Sequence, residues 1–137
     1  MKGGSAYGIT VIAAGCLYVL APVFFPVCEA SGGKAMKCFW TARAEIGVGA
    51  MVVAGGLLYL FSADFQRRLG LVMMIGLSAL LGAAIPTALI GVCANEAMLC
   101  RAGTLPAWLI VSGLLLLISI LKARGLAARL RPEGDNE

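Results

Sequence analysis

The hydrophobic positions of this chain form four long runs separated by short polar or charged segments. The runs cover residues 7–27, 41–62, 69–92 and 105–121. Each meets or nearly meets the roughly 20 residues that a helix needs to cross a hydrocarbon core of about 30 Å. Because the connections are short, neighbouring helices are expected to run antiparallel. The pattern predicts an all-α integral membrane protein, an up-down-up-down four-helix bundle forming a single domain over residues 1–137.

Composition supports the membrane class and excludes an ordinary soluble domain. Apolar residues make up 61% of the chain and charged residues only 13%, with a mean hydropathy of +0.94. The charged share is about half that of a typical soluble protein. Lys2 gives the chain a basic start, but the first apolar run is longer than the core of a cleaved signal peptide. We therefore expect a permanent first helix and the lipid bilayer as a partner.

The basic residues predict the orientation in the membrane. Seven lie on one side of a four-span arrangement, namely Lys2, Arg67, Arg68, Lys122, Arg124, Arg129 and Arg131. Four lie on the other side, namely Lys34, Lys37, Arg43 and Arg101. By the positive-inside rule, both termini and the tail 122–137 are cytoplasmic, and the loops 28–40 and 93–104 are extracytoplasmic, in a cell (inner) membrane. The net charge of +4 reflects this topology, and no nucleic-acid partner is expected.

Cysteines mark both outer loops in the same way. Val-Cys ends an apolar run at Cys28 and Cys93, and Met-x-Cys precedes the next run at Cys38 and Cys100. Extracytoplasmic cysteines form stable disulfides, so these four are predicted to hold the loops closed, although three pairings are possible. The repetition also suggests two hairpins related as a parallel repeat. Cys16, within the first run, is expected to be a buried apolar residue.

Two other chemistries use the same loops. Cys28, Cys38, Cys93 and Cys100 would be the catalytic residues of a thiol-disulfide exchange protein, but the chain has no Cys-x-x-Cys and no histidine. Met36, Cys38, Met98 and Cys100 carry the soft ligands that Cu(I) prefers, so a metal site is a weaker alternative. No cofactor is expected from the sequence.

A second candidate site lies at the start of the second run. Trp40 is a natural interfacial anchor, and Glu45 lies five residues further along, roughly 7–8 Å deeper. A carboxylate at that depth is costly unless it is paired or protonated. Arg43 is expected to point outward, and Thr87, at a similar depth on the third helix, is expected to donate a hydrogen bond to Glu45. These four residues are the predicted ligand- or partner-binding site.

The segment from Pro26 to Gly47 resembles an uncharacterised family of small prokaryotic four-helix membrane proteins. The likeness rests on Pro-Val-Cys-Glu at 26–29 and on Met-Lys-Cys-x-Trp-Thr-x-x-Ala-Glu-x-Gly, which starts at Met36. In this family, histidine often stands at the position of Phe39. The resemblance implies the fold and a length similar to this chain, and it implies no mechanism.

Three functions remain open from the sequence. The first is a non-enzymatic accessory subunit whose disulfide-closed outer loops contact a larger membrane transport complex or a second copy of the chain. The second is a membrane redox protein that uses the cysteine pairs. The third is a small transporter or ligand carrier centred on Glu45. The motifs favour no enzyme class.

Overall fold

Four helices form the described part of the protein. The computed structural model describes residues 2–24, 37–92 and 100–134, with side chains at 5–24, 37–92 and 101–129. The helices are α1 (Lys2–Phe24), α2 (Lys37–Phe61), α3 (Phe65–Ala84) and α4 (Leu105–Gly134). All four are long and apolar enough to cross a membrane, and these ranges contain no strand. The chain is a multi-pass membrane protein with the predicted all-α fold.

Cross-helix contacts show that sequential helices are antiparallel. Gly15 of α1 faces Gly49 of α2, and Gly8 faces Gly56 one level away. Between α1 and α4, Tyr7 is hydrogen-bonded to Ser119, whereas Tyr18 is hydrogen-bonded to Ser112. In both pairs of helices, α1–α2 and α1–α4, a higher residue number on α1 is matched by a lower number on its partner, so the two helices run in opposite directions. The bundle therefore has a cysteine end, where α1 and α3 end, and a turn end, which holds the α2–α3 turn.

The helices pack most extensively within two hairpins, α1 with α2 and α3 with α4. A Cβ atom on Gly49 would lie 2.8 Å from Tyr18 Cβ and 2.9 Å from the Gly15 carbonyl oxygen. Only glycine allows this backbone approach, which is how helices gain contact in lipid. The spans of α2 and α3 are the most buried, at 39% of residues each, and the α4 span is the least buried, at 28%.

Helix boundaries differ from the sequence expectation at several places, since α1 spans Lys2–Phe24 rather than 7–27 and α3 ends at Ala84 rather than at 92. Lys37–Trp40, placed in an outer loop, are helical, so Cys38 and Trp40 lie in the first turn of α2. Helix α3 starts four residues early because the Asp64 carboxylate accepts a hydrogen bond from the Gln66 N–H. Helix α4 continues to Gly134 rather than ending near 121, since the alanines, leucines and arginines that follow are strong helix formers. Cys16, expected to be buried, is exposed.

Two of the helix ends at the cysteine end carry a π-helical turn. Ile85–Leu89 follows α3, and Cys100–Thr104 precedes α4. Pro86 lies in the first of them and has no N–H, so the i→i−4 ladder cannot continue through it. The turn closes when the N–H groups of Ile90 and Gly91 both donate to the Ile85 carbonyl. Gly91 adopts a φ of +81°, which favours glycine.

Candidate functional site

Glu45 lies in the interior of the bundle near the cysteine end. Glu45 is 0% exposed, and neither carboxylate oxygen has a hydrogen-bond partner among residues 2–24, 37–92 and 100–134. The helical repeat places it one turn after Thr41 and one turn before Gly49 on the same face of α2. Because polar groups buried in protein are almost always hydrogen-bonded, an unpaired carboxyl group requires a specific explanation.

Tyr18 reaches the same region from α1. Its Cβ packs against Gly49 and the outer part of its ring packs against Gly82, where a side chain would leave no room, and its hydroxyl is hydrogen-bonded to Ser112 of α4. Tyr18 is also close enough to Glu45 for an electrostatic interaction. Thus one side chain contacts α2, α3 and α4 at the level of the candidate site.

The hydroxyl groups of Tyr18 and Thr41, which lie in the region of Glu45, have already committed their protons. Ser112 Oγ donates to the Trp108 carbonyl oxygen at 2.6 Å, so the hydrogen bond between Tyr18 and Ser112 uses the tyrosine proton. One turn from Glu45, Thr41 Oγ1 donates to the Gly91 carbonyl oxygen at 2.7 Å. Neither hydroxyl can therefore also donate to the Glu45 carboxylate.

Two further polar groups in the same part of the bundle are buried and unpaired. They are Thr104 Oγ1, at the end of the π-helical turn that precedes α4, and Trp108 Nε1 of α4. Trp108 and Ser112 are four residues apart, so they share one face of α4. We call Tyr18, Thr41, Glu45, Thr104, Trp108 and Ser112 the Glu45 cluster. Its carboxyl group suits a proton or a small cation, and it lies in the same part of the bundle as two polar groups that have no partner among the described residues.

A groove opens beside the cluster between α1 and α4. It encloses about 280 Å³ and is bordered by Leu17, Leu20, Ala21, Phe24, Ala107, Trp108 and Val111. Trp108 belongs both to the groove wall and to the Glu45 cluster. Trp108 therefore separates the apolar groove from the buried polar groups of the cluster.

Apolar residues separate the cluster from the turn end of the bundle. Val11 lies between Tyr7 and Tyr18 on α1, and Leu115 lies between Ser112 and Ser119 on α4; both are buried. Among the described side chains, no hydrogen bond crosses this layer. The Glu45 cluster is thus confined to the half of the bundle nearer the cysteine end.

The other predicted site residues are arranged differently from the expectation. Arg43 points outward as expected, and its guanidinium carbon lies 5.1 Å from the centre of the Phe39 ring. Trp40 is 58% exposed and packs edge-on against Phe39. The predicted hydrogen bond from Thr87 to Glu45 is not formed, because Thr87 Oγ1 donates to the Ala83 carbonyl at 2.6 Å. The π-helical turn shifts the helical repeat and leaves Thr87 exposed.

The cysteine and methionine sites fall mostly outside the described side chains. Cys38 is buried near the start of α2. Cys28, Cys93, Met36 and Met98 lie outside the described residues, and the structure describes only the backbone of Cys100. The disulfides, the redox pairs and the soft-metal site therefore stay predictions.

Sequence reasoning missed most of the cluster around Glu45. Tyr18, Thr41, Thr104, Trp108 and Ser112 were not identified as site residues. The available signal was a spacing of four among polar residues inside apolar helices, at 41 and 45 in α2 and at 108 and 112 in α4. Such spacing places residues on one face, but it does not show which helix that face meets.

Comparison with known proteins identifies a family without an established role. The sequence model of the family described as "Domain of unknown function (DUF4418)" matches residues 10–124. The match includes every residue of the Glu45 cluster. No curated protein and no solved structure matches the chain.

The two buried threonines offer a matched test of the cluster. Thr41→Val removes the hydrogen bond to Gly91 and should lower the free energy of unfolding by about 1 kcal/mol. Thr104→Val replaces an unpaired hydroxyl with a methyl group of similar size and should cost nothing or stabilise the protein slightly. Unfolding by SDS in mixed micelles, followed by circular dichroism, measures both. Equal losses would show that Thr104 is hydrogen-bonded and that the cluster is wrongly described.

Proposed function

The chain belongs to this family of unknown function, and we propose that it is a small non-enzymatic membrane protein that binds a proton or small cation at Glu45. The observation that carries the proposal is the unpaired carboxyl group of Glu45, which is fully buried. This is the ligand-carrier function among the three that the sequence left open.

The cost of the arrangement supports a binding role. A charged carboxylate inside a low-dielectric bundle is expensive unless it is paired and hydrogen-bonded. The hydroxyls of Tyr18 and Thr41 cannot compensate it, since their protons are committed to Ser112 and Gly91. A bound proton, or a small cation coordinated by the carboxylate, would remove the penalty. A merely structural carboxyl would be expected to have partners within the protein.

The location of the cluster restricts the direction of exchange. The buried apolar layer that includes Val11 and Leu115 separates Glu45 from the turn end. Exchange through the cysteine end avoids that layer. With the orientation predicted by charge, which has both termini cytoplasmic, the ligand would enter from the extracytoplasmic side of the inner membrane.

A second proposed function is that of an accessory subunit that contacts a partner through the cysteine end. Exposed Trp40 and Arg43 both pack on Phe39 near the start of α2, and Trp and Arg are enriched among the residues that dominate protein interfaces. Crosslinking in the native membrane should then capture the chain in a larger assembly, and Trp40→Ala should reduce the yield. Phe61→Ala, an exposed aromatic at the turn end, is the control. A chain that remains alone contradicts this function.

The redox alternative depends on the four loop cysteines and gains no support from the described residues. It requires at least one pair that alternates between thiol and disulfide in the cell. If the pairs instead hold the outer loops closed, as we propose, thiol trapping should find them oxidised under all growth conditions. That result would be incompatible with a redox cycle.

Labelling with dicyclohexylcarbodiimide tests the binding function. This reagent is apolar and modifies protonated carboxyl groups, so the membrane-embedded chain should acquire one adduct at Glu45. Labelling should fall as the pH is raised, because the reagent requires the protonated acid. Peptide mapping by mass spectrometry locates the adduct. Exposed Asp64 is the matched control: Asp64→Asn should leave the labelling unchanged, and Glu45→Gln should abolish it.

Absence of an adduct on Glu45 over the whole pH range would contradict the proposal. An equal yield on Asp64 would do so as well, since it would show that the reagent does not distinguish the buried carboxyl from an exposed one.

A further inference from the structure

We propose that the turn end of the bundle binds the headgroup of an anionic phospholipid between Arg68 and Lys122. This proposal uses residues outside the Glu45 cluster and does not depend on the proposed function. It rests on a pair of packed tyrosines that carry a cation on each side, and it assigns a ligand to the basic end of the molecule.

Two tyrosines form the centre of this site. The rings of Tyr7 on α1 and Tyr59 on α2 lie 4.9 Å apart at 65°, an edge-to-face arrangement. The Tyr7 hydroxyl is hydrogen-bonded to Ser119 of α4 at 2.9 Å. Both tyrosines are buried. The pair is thus fixed by packing and by a cross-helix hydrogen bond, and it provides a rigid base for the side chains above it.

A basic side chain stands over each ring. The guanidinium carbon of Arg68, on α3, lies 5.4 Å from the centre of the Tyr59 ring. The ammonium nitrogen of Lys122, on α4, lies 6.0 Å from the centre of the Tyr7 ring. Distances of this size correspond to cation–π attraction. All four helices therefore contribute a side chain to this basic region, and each cation lies near one ring of the tyrosine pair.

One N–H group of the Arg68 guanidinium holds the side chain in place, and its other N–H groups can donate to a ligand. Its Nε–H donates to the Ser62 carbonyl oxygen at 2.7 Å, which fixes the side chain against the end of α2. No other hydrogen bond of Arg68 is formed within the described residues. A guanidinium group has five N–H donors, and its planar arrangement matches the oxygens of a phosphate group. A phosphate between Arg68 and Lys122 would meet a pre-positioned donor set.

The surrounding charges favour an anion. Asp64 is the one acidic residue whose side chain is described at this end, and it lies 3.8 Å from Arg67 while accepting the Gln66 N–H. Arg124 and Arg129 add positive charge further along α4. The acid is therefore directed to Arg67 rather than to the tyrosine pair. Among the described side chains, positive charge exceeds negative charge at this end.

The position of the site selects a lipid as the source of the phosphate. The α2 span ends at Phe61 and the α3 span begins at Phe65, so Arg68 lies one turn inside the apolar part of α3. Exposed Phe61 offers an apolar surface next to it. Basic sites between transmembrane helices at this depth suit the headgroup of an anionic lipid whose acyl chains stay in the bilayer.

Native mass spectrometry of the full chain in detergent tests the proposal. Phosphatidylglycerol and phosphatidylcholine with the same acyl chains are added in parallel, and the dissociation constant of each is obtained from the lipid-bound fraction. We expect tighter binding of phosphatidylglycerol. Arg68→Gln and Lys122→Gln should each weaken that binding by about five-fold and leave phosphatidylcholine binding unchanged, since each removes one charge near the phosphate.

Arg124→Gln is the matched control, because it removes one charge from α4 without removing a side chain from the tyrosine pair. It should change phosphatidylglycerol binding by less than the Lys122 variant does. Since Arg68→Gln also removes the hydrogen bond to Ser62, the lysine variant separates lipid binding from a loss of folding. A third arm adds glycerol 1-phosphate as a soluble competitor, which should not displace the lipid.

Equal affinities for the two lipids would overturn the proposal. So would an Arg124 variant as weak as the Lys122 variant, which would mean that only the overall charge matters. Complete displacement by glycerol 1-phosphate would also overturn it, since the site would then bind a free phosphate rather than a lipid.

Discussion

The packing of Tyr18 between two glycines is the constraint on which the rest of the bundle depends. Its Cβ fills the space beside Gly49, its ring fills the space beside Gly82, and its hydroxyl reaches Ser112 on the fourth helix. A Cβ atom on Gly82 would lie 2.7 Å from that hydroxyl, so neither glycine tolerates a larger residue without displacing the tyrosine. Because a hydroxyl carries only one proton and that of Tyr18 is donated to Ser112, Tyr18 cannot also donate a hydrogen bond to Glu45.

The interior consists of two polar groups of residues with apolar packing between them. The Glu45 cluster lies toward the cysteine end, and the pair of Tyr7 and Tyr59 lies at the turn end. The first leaves the polar atoms of Glu45, Thr104 and Trp108 without a partner among the described residues, whereas in the second Tyr7 is hydrogen-bonded to Ser119 and each tyrosine ring has a cation near it. A buried polar group without a partner reduces stability and calls for a specific explanation. The difference between the two ends is the basis for assigning the proton or cation site to the first and the anionic lipid to the second.

The fold could be predicted from the sequence, because four apolar runs of membrane-spanning length allow few other arrangements. The inward orientation of Glu45 and the outward orientation of Arg43 followed from the cost of a buried charge. The predicted hydrogen bond from Thr87 to Glu45 is not formed, because the π-helical turn that contains Pro86 interrupts the 3.6-residue repeat of α3. The position of Thr87 had been predicted from that repeat. Thr104 and Trp108 were missed because their importance comes from contact between helices, which spacing along one helix does not reveal.

The central claim is that Glu45 has no partner within the protein and is kept for a ligand. The free energy of unfolding of Glu45→Leu, compared with the wild type after removal of small molecules, tests it most directly. The account predicts that the leucine variant is at least as stable as the wild type, because the change removes an uncompensated buried carboxyl group. A loss of about 3–5 kcal/mol, the usual cost of breaking a buried charged pair, would show that Glu45 is a partnered structural residue and would contradict the account.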